Sequence, residues 1–195
     1  MILRLGGFAM EQNAKKIYLA YGSNLNLGQM GKRCPNAKVL GAGELKDYEI
    51  LFRGANNNAV ATIEPKEGGN VPVVLWEITR SDEKSLDRYE GWPFMYRKEK
   101  VQVELDGKLV ETMAYIMNEK GKMLGKPSST YYNTIMEGYD MHGFNPDIID
   151  NGVANSIQGR KLEKLERKAA KAAKREENRM QGKSWTNIFR FPKKR

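Results

Sequence analysis

Three short stretches hold residue types from which chemistry could be built. The first is Tyr21-Gly22-Ser23-Asn24-Leu25, within "IYLAYGSNLNLGQM". An apolar strand breaks there at a glycine, and Ser and Asn tolerate unusual backbone angles and bond their own loop. Such a corner can aim backbone N–H groups at one point, as a nest for an anion or for an oxyanion that develops during reaction. It lacks the glycine spacing and the Lys-Ser/Thr ending of a phosphate loop. The second is Glu90, at the end of "LDRYEGWPFMY". A carboxylate at a helix C-terminus faces the negative end of the dipole, which raises its pKa and suits a general base. Trp92, Pro93, Phe94 and Tyr96 crowd the same residues and could desolvate it. The third is "PSSTYY", where Pro127, Ser128 and Tyr131 open a helix whose N-terminus attracts carboxylates, and Tyr131 or Tyr132 offers a phenol.

Each feature also has an ordinary reading: a turn, a solvated glutamate, a capped helix start. His142, the only histidine, has no Ser, Cys or metal-ligand partner arranged around it by sequence. A histidine triad or a zinc site is therefore not expected. Cys34, the only cysteine, cannot form an intramolecular disulfide and reads as a packed thiol of a reducing compartment. Carboxylate, phenol and backbone remain as the chemical groups.

The elements that must position them are mostly strands. Ile17–Ala20, Lys38–Leu45, Tyr48–Phe52, Ala59–Ile63, Val71–Ile78, Tyr96–Glu104 and Glu111–Met117 are apolar or β-branched and bounded by Gly, Asn, Asp or Pro. Asp106-Gly107 is a strong hairpin signal between the last two. A short helix is expected from about Asn26. "SDEKSLDRYEG" reads as a helix with Ser81 as N-cap and Gly91 as stop, and "PSSTYYNTIMEGYDMHG" as another. Strands with one inserted helix, followed by helices, indicate an α+β domain whose sheet curls into a small mixed β-barrel or bent sheet with packed helices. Loops around the mouth of such a sheet would hold a small ligand.

The net charge of +9 suggests nucleic acid until it is divided along the chain. Residues 157–195 hold fourteen Lys plus Arg against four Glu; subtracting these from the totals of 33 and 24 leaves 19 basic and 20 acidic residues before them. The basicity belongs to the tail. Three parts follow: a flexible N-terminal extension (1–15), a domain (16–155) and a basic helical tail (156–195). The opening "MILRLGGFAM" is too short and poorly flanked for a signal peptide, and because Met10 opens a polar segment just before the first strand, residues 1–10 read either as a disordered segment or as reflecting an alternative translation start. No apolar run approaches the ~18 residues of a membrane span, so a cytoplasmic protein is expected.

"YLAYGSNL", "ATIEP" followed by "VPVVLWEITRSDEKSLDRYEGWPFMYRKEKVQV", and "GKPSSTYYNTIMEGYDMHGF" together resemble the gamma-glutamylcyclotransferases in motif identity, order and spacing. The resemblance runs from about Ile17 to Phe144. It implies that family's small mixed barrel with a cavity at one end, and its reaction. There the α-amine of a γ-glutamyl group attacks its own side-chain carbonyl, closes a five-membered ring and releases 5-oxoproline plus an amine or amino acid. The reaction requires no cofactor, and no metal is implied. By similarity Glu90 matches the general base, the backbone from Gly22 to Leu25 the loop that holds substrate polar groups, and Tyr21, Tyr96 and Tyr131 aromatic positions around the cavity. Related substrates are γ-glutamyl amino acids, γ-glutamyl-lysine isopeptides, glutathione and a γ-glutamyl-protected antibiotic intermediate. The "YGSN" form looks less like the glutathione-specific branch, which favours Leu at the position of Asn24. The Asn56–Asn58 run, Glu67–Asn70 and Trp92–Met95 are candidates for the rim that discriminates among them.

The tail departs from the family pattern. Leu162, Leu165, Ala169 and Ala172 recur at 3-4-3 spacing, which predicts a helix with a thin apolar stripe. The end "GKSWTNIFRFPKKR" offers Trp185, Ile188, Phe189 and Phe191 for docking on the domain or on a second subunit, hence a homodimer. Basic residues with interleaved aromatics also permit contact with nucleic acid or an anionic surface. The alternative to an enzyme is a non-catalytic module of the same fold that binds a small metabolite, its tail contacting nucleic acid or a partner protein.

Overall fold

The computed structural model describes residues 15–188, of which 181–188 as backbone alone. The opening "MILRLGGFAM", the side chains of Trp185 and Ile188, and Phe189 and Phe191 lie outside the described residues. Five strands form the frame: β1 (Lys16–Ala20), β2 (Lys38–Ala55), β3 (Asn58–Ile78), β4 (Tyr96–Leu105) and β5 (Lys108–Met117). Among the described residues four α-helices accompany them: α1 (Leu27–Arg33), α2 (Arg80–Glu90), α3 (Ser129–His142) and α4 (Asp147–Ile188). The α+β class and the small mixed barrel expected from the sequence are what the chain adopts.

The barrel is closed in the order β1-β3-β2-β4-β5. Neighbours are antiparallel except at the seam, where β5 pairs parallel with β1 through Tyr18↔Met113 and Leu19↔Ala114. Two pairs of expected short strands are in fact two long ones. Register shifts between Val39 and Gly41 and between Lys46 and Tyr48 bend β2, so it serves two parts of the sheet without ending. Among the described residues β2 and β4 pair only at Glu44↔Glu104, and beside it a Cβ on Gly43 would lie 2.8 Å from the Glu104 carbonyl oxygen. A glycine is what lets these two backbones close the barrel. The Asp106-Gly107 turn has both residues at positive φ, 50° and 73°, as a tight hairpin requires.

Alternation on the strands sends Leu19, Phe52, Ile63, Val73, Leu75, Val103 and Ile116 into one core, against which Leu86, Ile135, Tyr139 and Ile149 pack from the helices. Helix α2 starts two residues earlier than the Ser81 cap read from sequence. Thr79 is the N-cap, in a reciprocal capping box with Asp82, because Ser81 already lies within the first turn. Gly91, at φ 64°, stops it as expected. Helix α3 is capped by Ser128, whose side chain accepts from the Tyr131 N–H, and ends at Gly143. Cys34 is buried, and desolvation pushes its thiol up to about 12, which makes it an inert packing group.

Helix α4 passes unbroken through residue 155, where the composition shifts. Its first part is docked. Ser156 Oγ accepts from the Phe52 N–H at 2.8 Å, and Glu163 accepts from Arg53 at 2.9 Å and from the Leu124 N–H at 3.0 Å. Arg53 also bonds Glu64 and the Lys122 carbonyl, so a guanidinium only 11% exposed has anions on two sides. Among the described residues no helix is long and apolar enough to cross a membrane.

Candidate active site

One end of the barrel holds a cavity of about 200 Å³. It is smaller than the ~300–1,000 Å³ of pockets for drug-sized ligands, so it suits a compact head group whose remainder projects through the mouth. The break after β1 forms its floor. Ser23–Leu25 make a short 3-10 turn, closed by the Leu25 N–H on the Gly22 carbonyl at 3.0 Å. Asn26 then caps α1 by accepting from the Gln29 N–H and ties the corner to α3 by donating to Glu137 at 2.9 Å. Helix α3 lies against the corner at Gly138, where a Cβ would come within 2.7 Å of Leu25 Cβ. His142 completes this brace through Nε2 and the Leu25 carbonyl, 3.0 Å apart. The lone histidine supports the corner from behind.

Of the residues singled out by sequence, Tyr21, Gly22, Ser23, Asn24, Glu90, Tyr96 and Tyr131 all line the cavity. Leu25 does not. Its side chain is fully buried in the core and its N–H closes the turn, so it shapes the corner from beneath. The rim candidates divide: Met95 lines the cavity, and Asn56 and Asn57 form the β2–β3 turn with Asn58 opening β3. Gly69 and Asn70 line a separate groove with Asn151, Gly152 and Asn155 of α4.

Glu90 is the one carboxylate of the lining among the described residues. Asn24 Nδ2 donates to its Oε1 at 3.0 Å and also to the Tyr18 hydroxyl at 2.7 Å, while Asn24 Oδ1 accepts from Arg33 at 2.6 Å. Because a guanidinium only donates, the amide orientation is fixed, and both its hydrogens point to Glu90 and Tyr18. Burial pushes the Glu90 carboxyl up to about 7, against the opposing pull of Arg33 and of the Asn24 hydrogen bond. Desolvation is thus the main cause, beyond the helix dipole invoked from sequence. The aromatic crowd expected to supply it is only partly present: Phe94 is 88% and Trp92 45% exposed, whereas Tyr96 is buried against the cavity.

The phenols sort by their hydrogen bonds. Tyr21 donates to the Tyr115 carbonyl at 2.6 Å and Tyr96 to the Ala61 carbonyl at 2.6 Å, which leaves their oxygens as acceptors. Tyr131 accepts from the Ala61 N–H at 3.3 Å and Tyr18 from Asn24, so each keeps a proton to donate. Burial raises all four above the ordinary phenol range, which keeps them neutral near pH 7. The cavity therefore combines one proton acceptor poised near neutrality, two donor phenols, two acceptor phenols and a backbone corner. That set can deprotonate an ammonium and receive a carboxylate or a developing oxyanion.

Sequence reasoning missed Tyr18, Arg33, Tyr89 and Tyr115. Tyr18 sits four residues before the break at Gly22, and its polar tip in an apolar strand was a readable signal. Arg33 stacks over Tyr89, 3.7 Å from the ring centroid, and Tyr89 is 3.0 Å from Ser23 Oγ. Nothing in the sequence brings the end of α1 back to Asn24. Tyr115 joins through Asp87, to which its hydroxyl donates at 2.6 Å. Among the described residues no three His, Cys, Asp or Glu side chains converge as metal ligands.

The profile of the family described as gamma-glutamyl cyclotransferase, AIG2-like, matches residues 18–140. The chain belongs to this family. The gamma-glutamylcyclotransferase of Homo sapiens is 29% identical over 136 residues, covering 65% of this chain and 71% of that one. That of Mus musculus is 27% identical over 146 residues, covering 70% and 77%. A solved structure titled gamma-glutamyl cyclotransferase superimposes with a TM-score of 0.62 at 28% identity, over 67% of this chain and 81% of that one. The family region runs from within β1 through β5 and contains every residue of the cavity lining; all of α4 lies beyond it.

Proposed function

We propose that this protein is a γ-glutamyl cyclotransferase that converts a γ-glutamyl amide to 5-oxoproline and a free amine or amino acid, with Glu90 as general base. The observation that carries this reading is the Glu90 carboxylate, held by Asn24 in the cavity wall and raised to about 7 by burial.

Glu90 takes a proton from the substrate α-ammonium, and the freed amine attacks the γ-carbonyl carbon. The carbonyl π pair moves to oxygen, where Tyr131, Tyr18 or the corner N–H groups donate. When the oxyanion collapses, the bond from carbon to the leaving nitrogen breaks as protonated Glu90 gives its proton to that nitrogen; the Glu90 carboxylate then takes the extra proton that the ring nitrogen still carries and passes it to the departing amine, which leaves as ammonium. Tyr21 and Tyr96, with acceptor oxygens only, suit the ammonium; the donor phenols suit carboxylate and oxyanion. Closure of a five-membered ring is intramolecular, so holding the chain folded back supplies much of the rate, up to ~7–11 kcal/mol in well-oriented cases. A small cavity with a single base is sufficient for that chemistry.

The test is release of 5-oxoproline by the purified protein from γ-glutamyl amino acids, γ-glutamyl amines and glutathione, with Glu90→Gln as control. Release by the unaltered protein alone is the expected result. Silence across all substrates, with binding retained, would replace the enzyme by a metabolite-binding module. Equal turnover in Glu90→Gln would remove the mechanism.

A further inference from the structure

The cyclotransferase reading uses the barrel and leaves the far half of α4 without a role. That helix is held to the body as far as Glu163, and from residue 164 to 180 every position is exposed. At ~1.5 Å per residue, the stretch 164–188 projects about 37 Å past the barrel. Hydrophobic burial cannot be what maintains it there.

Its charges are ordered. Lys161, Lys164, Lys168, Lys171 and Arg175 recur at 3-4-3-4 spacing, which places them in one stripe along the helix. Arg167 and Lys174 flank that stripe, and Glu166, Glu176 and Glu177 fall off it. Among the described residues none of the five stripe cations has an ion-pair partner; Arg179, by contrast, bonds Glu176. A single stripe of cations without ion-pair partners among the described residues, on an exposed helix, calls for a long, regular polyanion.

We propose that the projecting half of α4 is a docking surface for the phosphate backbone of duplex DNA, bound without reading of sequence. The five cations span about 21 Å of helix, a length over which duplex DNA presents roughly twelve phosphates. A helix ~10–12 Å across enters the ~12 Å major groove of B-form DNA, whereas the deep, narrow groove of A-form RNA excludes it. Two other occupants fit less well. The apolar stripe Leu162, Leu165, Ala169, Ala172 is mostly methyl groups, which bury little in a lipid surface. Continued at the same spacing it meets Glu176 and Arg179, so a coiled-coil seam with a second copy fails after two repeats.

Fluorescence anisotropy of the full chain with a labelled DNA duplex of about 20 base pairs tests this. With five phosphates neutralised, affinity falls about 500-fold between about 50 and 200 mM salt. The variant Lys164→Gln, Lys168→Gln, Lys171→Gln, Arg175→Gln, checked for helicity by circular dichroism, loses at least about 100-fold at the lower salt and most of the salt slope. Glu90→Gln binds DNA like the unaltered chain, so this result and the cyclotransferase assay stand or fall separately. Tighter binding to an RNA duplex or to phosphatidylserine vesicles, dimerisation lost in the quadruple variant, or no salt-dependent binding would overturn the proposal.

Discussion

Helix α2 carries Glu83 near its start and Glu90 at its end, on one face with Asp87 between them, and the surrounding chain treats the two glutamates in opposite ways. Glu83 is taken out of water, its side chain only 10% exposed, yet Lys16 of β1 and Lys98 of β4 each reach it at 2.7 Å. Burial pushes its pKa up, but the two lysines outweigh that and hold it below the ordinary glutamate value. Its place in the first turn adds the favourable end of the dipole. Glu90 is enclosed too, but its neighbour is a neutral amide, and the one cation nearby, Arg33, acts across Asn24. Burial therefore prevails there. Complete compensation makes Glu83 a fixed ionic brace across two strands. Incomplete compensation leaves Glu90 able to take and return a proton near neutrality.

The widest separation between the two comes from removing each charge. Glu90→Gln is expected to lower turnover by about 10³-fold while substrate still binds, measured as 5-oxoproline release and by calorimetric titration. Glu83→Gln should leave turnover nearly intact and cost about 1–3 kcal/mol of stability in urea unfolding, because Lys16 and Lys98 lose a shared partner. If Glu83→Gln abolished turnover instead, the division between brace and base would be wrong.

The pH dependences sharpen the same contrast. A pKa raised in the folded state means that the folded chain binds the extra proton, so Glu90 lowers stability progressively as pH rises from about 4.5 to about 7. Glu90→Gln should then unfold later than the unaltered protein at pH 8, by about 1–2 kcal/mol, with no difference near pH 4. Glu83 has the opposite sign: its depressed pKa stabilises above the ordinary glutamate range, and that contribution is lost as pH falls below it. The smallest effect concerns Arg33. Replacing it by Gln removes an influence that lowers the Glu90 pKa, so the rise of kcat/KM with pH, centred near 7 in the unaltered protein, moves upward. Near pH 7 the loss would be a few-fold. An unmoved inflection would show that Arg33 only positions Asn24.

Much of this was legible in the sequence because it depends on local signals. The Gly22 break, the Gly91 and Gly143 stops and the Asp106-Gly107 turn are each set by backbone geometry within a few residues. They sufficed to place the corner, Glu90 and Tyr131. What was not legible depends on distant parts of the chain. The merging of four expected strands into β2 and β3 follows from bulges that keep pairing through a polar stretch, and no periodicity announces a bulge. Arg33 and Tyr115 enter the site through contacts to Asn24 and Asp87 that only the closed barrel creates. The aromatic cluster after Glu90 misled in part, since Trp92 and Phe94 are exposed, while Met95 and Tyr96 of the same stretch line the cavity together with residues of β1, β3 and β5.

The seam of the barrel has a kinetic meaning. Strands β2 and β3 are paired from Lys38↔Glu77 to Ala55↔Asn58, whereas β1 and β5 meet through Tyr18↔Met113 and Leu19↔Ala114 alone. The barrel closes through two short contacts, this seam and the β2–β4 pair Glu44↔Glu104, and sub-global opening starts where few bonds must break, so amide protons at both should exchange with deuterium well before those of the long hairpin. Tyr18 belongs both to the seam and to the cavity. The candidate cavity is thus built on one of the two short contacts that close the barrel, and a ligand that engages the Tyr18 hydroxyl is expected to slow exchange in β5, a strand whose backbone it need not touch.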